Sequence, residues 1–402
     1  MTASTSGTPP VLSQEAPSST HLPADAEGAT LVGRLWNPQE HGPSPVLVRD
    51  GDVFDLSATF ATMRDLCEEP NPARAAASAA GDLLGRYSEI LANTDPMVRD
   101  ESRPWLLAPV DLQTLKAAGV TFAVSMVERV IEERVRGSVE AASRMRDQIL
   151  DEIGTDLHLV KPGSGEAEKL KTFLTERGLW SQYLEVGIGP DAEIFTKAPT
   201  MAAVGTGVPV GVPETSTWNN PEPEVALIVR SDGTVVAATL ANDVNLRDVE
   251  GRSALLLPQA KDNNASCALG PVLRLFDDGF GLDDVEAMAV RLEINGLDGF
   301  HLEACSDMSQ ISRRPFELVR QLIGPHHQYP DGAVLMLGTM FAPVVDRDVQ
   351  GMGFTHKEGD TVIISAPQIG SLVNRVMHCA DIEPWWFGVG ALMRNLSDRG
   401  LL

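Results

Sequence analysis

The chain has 402 residues, 43% of them hydrophobic and 22% charged, which leaves room for two or three domains and a sizeable buried core. A formal net charge of -24 sets up a field that repels phosphate backbones and anionic membrane surfaces, so no nucleic acid and no membrane is expected as a partner. No apolar run approaches the roughly 20 residues of a spanning helix, the start lacks the basic and apolar regions of a secretory signal, and Cys67, Cys267, Cys305 and Cys379 show no metal or disulfide spacing, which fits a cytoplasmic protein with reduced thiols.

Residues 1–28, rich in Ser, Thr, Pro and Ala, are expected to form a disordered tail. From Leu31, two apolar runs flank Asp50-Gly51, a dipeptide suited to a type I′ hairpin. Helical stretches are expected near 59–68 and 72–92, and a polar connector from Asn93 to Pro104 then closes a small α/β N-terminal domain over 29–105. The remaining 106–402 are expected to form a second, larger domain. Asp111 reads as the N-cap of a helix running to Ala118; after Gly119, TFAVSMVERVIEERV resumes helical spacing, with helix expected to Ile153. Beyond Trp180 the texture turns to Val, Ile, Thr, Gly and Pro, with helices near 283–291 and 315–323. Strands following helices without βαβ alternation predict an α+β fold whose catalytic domain is mostly β.

The segment NPEPEVALIVRSDGTVVAATLANDVNLRD is the most informative. Asp232-Gly233 separates two β-rich runs as a two-residue turn would, so Ser231 faces Thr234 and all later partners add to 465. Glu222 then faces Asp243, and Glu224 shares their face because side chains alternate with period 2. Like charges opposed in a sheet are destabilising unless a cation neutralises them. Oxygen donors with no nearby Cys or His select Mg²⁺, with Mn²⁺ or Ca²⁺ as alternatives, over zinc. Val225, Leu227 and Val229 lie opposite Leu240, Ala238 and Val236 on one face, with Ala226, Ile228, Ala237 and Thr239 on the other, so neither face reads as solvated. From spacing alone, acids on a wet strand end remain the alternative.

These residues resemble the fumarylacetoacetate hydrolase family, whose metal motif is Glu-x-Glu followed by an Asp in an Asn-Asp-Val context. Here that is Glu222, Glu224 and Asp243, with Asn242, Arg247 and Asp248 in place. A family lysine matches Lys261 in KDNNASCALGP, and later blocks match Gly338-Thr339, Gly359-Asp360 and Gly370, Leu372, Asn374. The resemblance runs from about 111 to 378 and implies a mixed β-sandwich roll. One departure matters: family members that cleave carbon-carbon bonds usually carry His and Glu three apart, and here Glu128 is kept but Ser125 replaces the His. A hydroxyl cannot activate water as imidazole does near neutral pH.

The extra N-terminal region, WNNPEPEVAL and QAKDNNASCALGP together are most similar to the family's 2-keto-3-deoxy-D-xylonate and 2-keto-3-deoxy-D-arabinonate dehydratases. That resemblance implies a hydro-lyase that turns a 2-keto-3-deoxy sugar acid into 2,5-dioxopentanoate, acting as a homodimer or homotetramer. It implies Lys261 and Glu128 as the acid and base, in an order left open, and Ser125, Lys197, Arg247, Gly338 and Thr339 around the substrate. A carbon-carbon hydrolase or decarboxylase of 2-oxo acids, and a non-enzymatic protein stabilised by a bound cation, are the alternatives.

Overall fold

The computed structural model describes residues 21–135, 160–176, 178, 180–341, 345–348 and 353–402, so the expected helix reaches Val135 and its continuation to Ile153 lies outside the described residues. The strands Pro223–Val229 and Val235–Asp243 form the predicted hairpin at the middle of a mixed sheet of eleven strands among these residues. Cys267–Leu275 pairs with the second hairpin strand and Ala333–Met336 with the first. Thr114–Gly119 runs parallel to Ala333–Met336, and Glu193–Ala198 follows beside it. On the other side Leu31–Asn37 pairs with Cys267–Leu275 through Leu31↔Arg274 and Val32↔Leu273, so the strands of the 29–105 segment extend the same sheet.

Because both hairpin faces are apolar, each must be covered. A second sheet of five strands, which includes Ala289–Asn295, Thr361–Ala366 and Gly370–His378, covers one face. Val225, Leu227 and Leu240 share a buried cluster there with Leu292, Ile364 and Leu372. On the opposite face Ala226, Ile228, Ala237 and Ala241 pack with Leu56, Met63, Leu66 and Val334. Truncating a side chain such as Leu227 to Ala at this seam costs about 2–5 kcal/mol. The result is the expected α+β sandwich of mixed sheets. No helix among the described residues is long and apolar enough to cross a membrane.

The hairpin register holds from Pro223↔Asn242 to Ile228↔Ala237, but its turn differs from the expected one. Arg230 N–H donates to Thr234 O at 2.8 Å and Gly233 has φ +88°, so the loop is Ser231-Asp232-Gly233, three residues with glycine in the left-handed position. That moves the pairing by one, to Val229↔Val235, and a bulge at Val236 moves it back. Val236 consequently turns to the Ala226 face rather than the Leu227 face.

Other expectations are corrected. Asp50-Gly51 does form the two-residue turn, with φ +53° and +75° and Arg49↔Asp52 closing it. The helical run near 72–92 is broken: Pro72–Ser78 and Tyr87–Ala92 flank the strand Asp82–Arg86, which pairs with Asp52–Asp55. Near 59–68 only Met63–Cys67 is helical, and near 283–291 the helix Leu282–Glu286 gives way to Ala289–Asn295. Residues expected to be helical up to Ala118 form the strand Thr114–Gly119, since two flanking strands satisfy its backbone. Asp111 caps another helix instead, accepting N–H groups from Met63 at 2.6 Å and Arg64 at 3.0 Å. Within the expected tail, Ser371 N–H donates to His21 O at 2.9 Å and Asp25 pairs with Arg274.

Candidate metal centre

Glu222 enters the first hairpin strand and Asp243 ends the second, tied by Asp243 N–H donating to Glu222 O at 3.0 Å. Asn242 Oδ1 accepts from Glu222 N at 3.1 Å, fixing the strand end. Glu222, Glu224 and Asp243 are all buried, and one oxygen from each lies within 4.8 Å of the others. Glu224 also accepts the Gly338 N–H at 2.7 Å. Gly338 has φ +92°, and a Cβ there would stand 2.0 Å from Thr121 Oγ1, so glycine alone brings this amide to the carboxylate.

Burial, then the charges of Asp243 and Glu222, hold the Glu224 carboxyl well above the usual range. For Asp243, burial raises the value but Lys197 and Lys261 outweigh it and leave it low. Lys261 ends the helix Leu257–Lys261 and hydrogen-bonds Glu222 Oε2 and, at 2.9 Å, Asp243 Oδ2. Burial works to lower its pKa, but Asp243, Glu222 and Glu250 hold it above the ordinary lysine value. Lys197 Nζ lies 2.9 Å from Asp243 Oδ1, an oxygen left without an aligned hydrogen bond. A buried, all-oxygen donor set with excess negative charge fits a hard divalent cation.

The face opens on a small cavity lined by Ser125, Arg129, Glu193, Glu250, Lys261 and Thr339 together with the three acids. Ser125 Oγ donates to Phe122 O at 2.8 Å, and Thr339 Oγ1 lies 3.3 Å from Phe341 O. Lys197 is fully buried behind this face, donating to Val244 O at 3.0 Å, to Ser266 Oγ at 3.2 Å and to Lys261 O. Glu128 and Arg247 are brought together, Oε2 to Nη2 at 2.9 Å, with the guanidinium 4.3 Å over the Trp218 ring; neither lines the cavity.

Three further residues reach the cavity that no sequence motif marked. Glu193 pairs with Gly119 across neighbouring strands, and a Cβ on Gly119 would meet Glu193 Oε2 at 2.1 Å. Burial first, then Glu250, pushes the Glu193 carboxyl up to about 7, against the lowering effect of Arg129 and Lys261. Arg129 contacts Glu222 Oε1 and lies 3.1 Å from Glu250 Oε2. Its one signal in the sequence was the four-residue step from Ser125, which puts both on one helix face. A much wider cavity of about 1040 Å³, walled by Trp36, Trp105, Trp385, Trp386 and Phe387, lies elsewhere; the acid triad, rather than cavity size, locates the chemistry.

Known proteins resemble the chain in sequence and in fold. Residues 181–377 match the fumarylacetoacetate hydrolase C-terminal family model. The chain is 27% identical over 328 residues to a protein of Haloferax volcanii named "Probable 2-keto-3-deoxyxylonate dehydratase", covering 82% of this chain and 93% of that protein. It is 32% identical over 184 residues to a 2-dehydro-3-deoxy-D-arabinonate dehydratase of Saccharolobus solfataricus, covering 46% of this chain and 58% of that one. A solved 2-keto-3-deoxy-D-arabinonate dehydratase complexed with magnesium and 2,5-dioxopentanoate shares the fold, with a TM-score of 0.61 and 21% identity over 87% of this chain and 99% of that one. The segment that carries Glu222, Glu224, Asp243 and Lys261 is thus the one that matches the fumarylacetoacetate hydrolase C-terminal family model.

Proposed function

We propose that this protein is a metal-dependent hydro-lyase that removes water from a 2-keto-3-deoxy-D-pentonate, xylonate or arabinonate, to give 2,5-dioxopentanoate. The observation that carries the reading is the meeting of three buried carboxylates with Lys261 on one cavity face. The names of the two curated relatives support the substrate class. Magnesium is the ion we propose, because Mg²⁺ is commonly held by a few carboxylates that leave positions for substrate.

A divalent ion held by Glu222, Glu224 and Asp243 supplies Lewis-acid polarisation of a carbonyl and neutralises the triad. The remaining work belongs to the chain. Lys261 Nζ takes the proton from the carbon beside the keto group as the neutral amine, the form that burial favours once the charges of Glu222 and Asp243 are offset. Glu193, with a carboxyl near 7, gives a proton to the departing hydroxyl, so that water leaves a C3–C4 double bond; a proton shift from C5 to C3 then gives the C4–C5 enol, which becomes the aldehyde by a second shift. Glu128, held by Arg247 away from the cavity lining, serves to fix the helix that carries Ser125 and Arg129. With Ser125 in the cavity, no imidazole among the described residues lines it to activate water for carbon-carbon cleavage. The same reading has the enzyme in the cytoplasm, as a homodimer or homotetramer.

The test is incubation of the purified protein with Mg²⁺ and a panel of 2-keto-3-deoxy acids and acylpyruvates, with products read by mass. Loss of one water from a pentonate, abolished by chelation, is the expected result. Cleavage of acylpyruvates without dehydration of any pentonate would overturn it.

A further inference from the structure

The metal face gathers five carboxylates, Glu193, Glu222, Glu224, Asp243 and Glu250, around three side-chain cations, Arg129, Lys197 and Lys261. Three cations do not offset these five carboxylates when all are ionised, which leaves the face suited to a divalent ion. A 2-keto acid brings its own carboxylate into this cavity, so it needs a cationic partner that the resting arrangement has not already committed.

Arg129 is where the balance is struck. It follows Ser125 by one helical turn in Ala123–Val135, and both line the cavity. Its Nη2 contacts Glu222 Oε1 while its Nη1 lies 3.1 Å from Glu250 Oε2. Lys261 Nζ takes the other Glu222 oxygen. Both oxygens of this one metal-ligand carboxylate therefore carry side-chain cations. A divalent ion bound to Glu222 repels them, and in a buried site that repulsion is poorly screened.

We propose that Arg129 is the internal counter-ion of the metal site and the substrate-positioning residue of the reaction. It neutralises Glu222 while no divalent ion is bound, and on loading it is released toward the carboxylate of the 2-keto acid, with Glu250 steadying it. The chemistry of the side chain favours Arg129 over Lys261 for this: a planar guanidinium grips a carboxylate through two parallel hydrogen bonds, whereas a lysine is a point charge suited to proton transfer. The substrate half of the proposal rests on the dehydratase reading; the counter-ion half does not.

The experiment uses Arg129→Gln and Arg129→Lys in the full chain, with two readouts. Calorimetric titration of metal-free protein with MgCl₂ should show Arg129→Gln binding Mg²⁺ several-fold tighter than the parent, because a competing charge is gone, and Arg129→Lys binding it about as the parent does. Steady-state kinetics at saturating Mg²⁺ should show KM for the pentonate raised about tenfold or more in both, through loss of a charged two-pronged hydrogen bond. An arginine that merely supports a ligand would do the reverse on the first readout and cost about 10–100-fold in metal affinity. Unchanged or weaker Mg²⁺ binding by Arg129→Gln overturns the counter-ion role, and an unchanged KM in either variant overturns the positioning role. If Arg129→Gln does not fold, the KM of Arg129→Lys still decides the second half, and tighter Mg²⁺ binding by that variant refutes a charge-based counter-ion. Tighter Mg²⁺ binding by Arg129→Gln in a protein that dehydrates no pentonate would leave the counter-ion standing and remove the dehydratase reading.

Discussion

Lys197 Nζ lies 2.9 Å from Asp243 Oδ1 at a point with no solvent exposure, and from there it also donates to the carbonyl oxygens of Val244 and Lys261. One ammonium thus ties the strand that ends in Asp243 to the end of the helix that presents Lys261. Lysine suits this because three donors on a compact head can diverge toward Val244 O, Lys261 O and Ser266 Oγ while the charge faces Asp243.

Replacing Lys197 with Met should therefore cost stability first. It leaves a buried carboxylate and two carbonyls short of a partner, and breaking a buried ion pair from one side costs about 3–5 kcal/mol. Urea unfolding of metal-free protein should show a loss of that size, with part of it recovered by saturating Mg²⁺, which neutralises Asp243 in another way. An unfolding midpoint equal to that of the parent would show that the buried ammonium contributes nothing.

Gly338→Ala should weaken the metal site without touching a ligand. At φ +92° the new Cβ would crowd Thr121 Oγ1 at 2.0 Å and Ala118 O at 2.7 Å, so the backbone must shift and its N–H must leave Glu224 Oε2. Strain of this kind costs about 1–3 kcal/mol, and losing a partner of a ligand costs about 10–100-fold in metal affinity. Calorimetric Mg²⁺ titration checks this; parental affinity would refute it.

Glu193 sets a pH dependence. Its value in the folded chain, about 7, exceeds its ordinary 4.5, so the unfolded chain releases the proton first and stability declines as pH rises between these values. The protonated donor likewise disappears as pH passes about 7, giving kcat an alkaline limb there. Glu193→Gln mimics the protonated form: it should flatten the stability profile over that window while lowering kcat by about 10²–10⁴-fold. An unchanged limb in the pH-rate profile of this variant would reassign the proton donor.

Lys261→Met separates proton transfer from metal binding. Turnover should fall by about 10²–10⁴-fold, while Mg²⁺ affinity holds or improves, since the ammonium no longer occupies Glu222 and Asp243. Near-parental turnover would rule out Lys261 as the base.

What the sequence by itself determined was the local geometry that period and turn chemistry control. Alternation with period 2 put Glu222, Glu224 and Asp243 on one face, and the two apolar faces required that the hairpin be covered on both sides. Even the misread turn did no harm at the acids, because the extra loop residue and the bulge at Val236 cancel before Ile228↔Ala237. Asp50-Gly51 was legible for the same reason: two left-handed residues in a row suit very few dipeptides.

Only the tertiary structure decided which other elements close on that face. Arg129 comes from a helix, Glu193 from a strand two places along the sheet beyond Ala333–Met336, and Glu250 from the short helix Arg247–Glu250; no fixed sequence spacing links them to the hairpin. Thr114–Gly119 became a strand, against its helical appearance, because a sheet position with partners on both edges satisfies every backbone group there. Asp111 capped a helix 47 residues away rather than the one it precedes in sequence. Lys197 was visible as a lysine of the right family segment, but its direction, behind Asp243 rather than toward the cavity, is a property of packing: a strand residue's alternation says which face it takes, and only the assembled sheet says what that face meets.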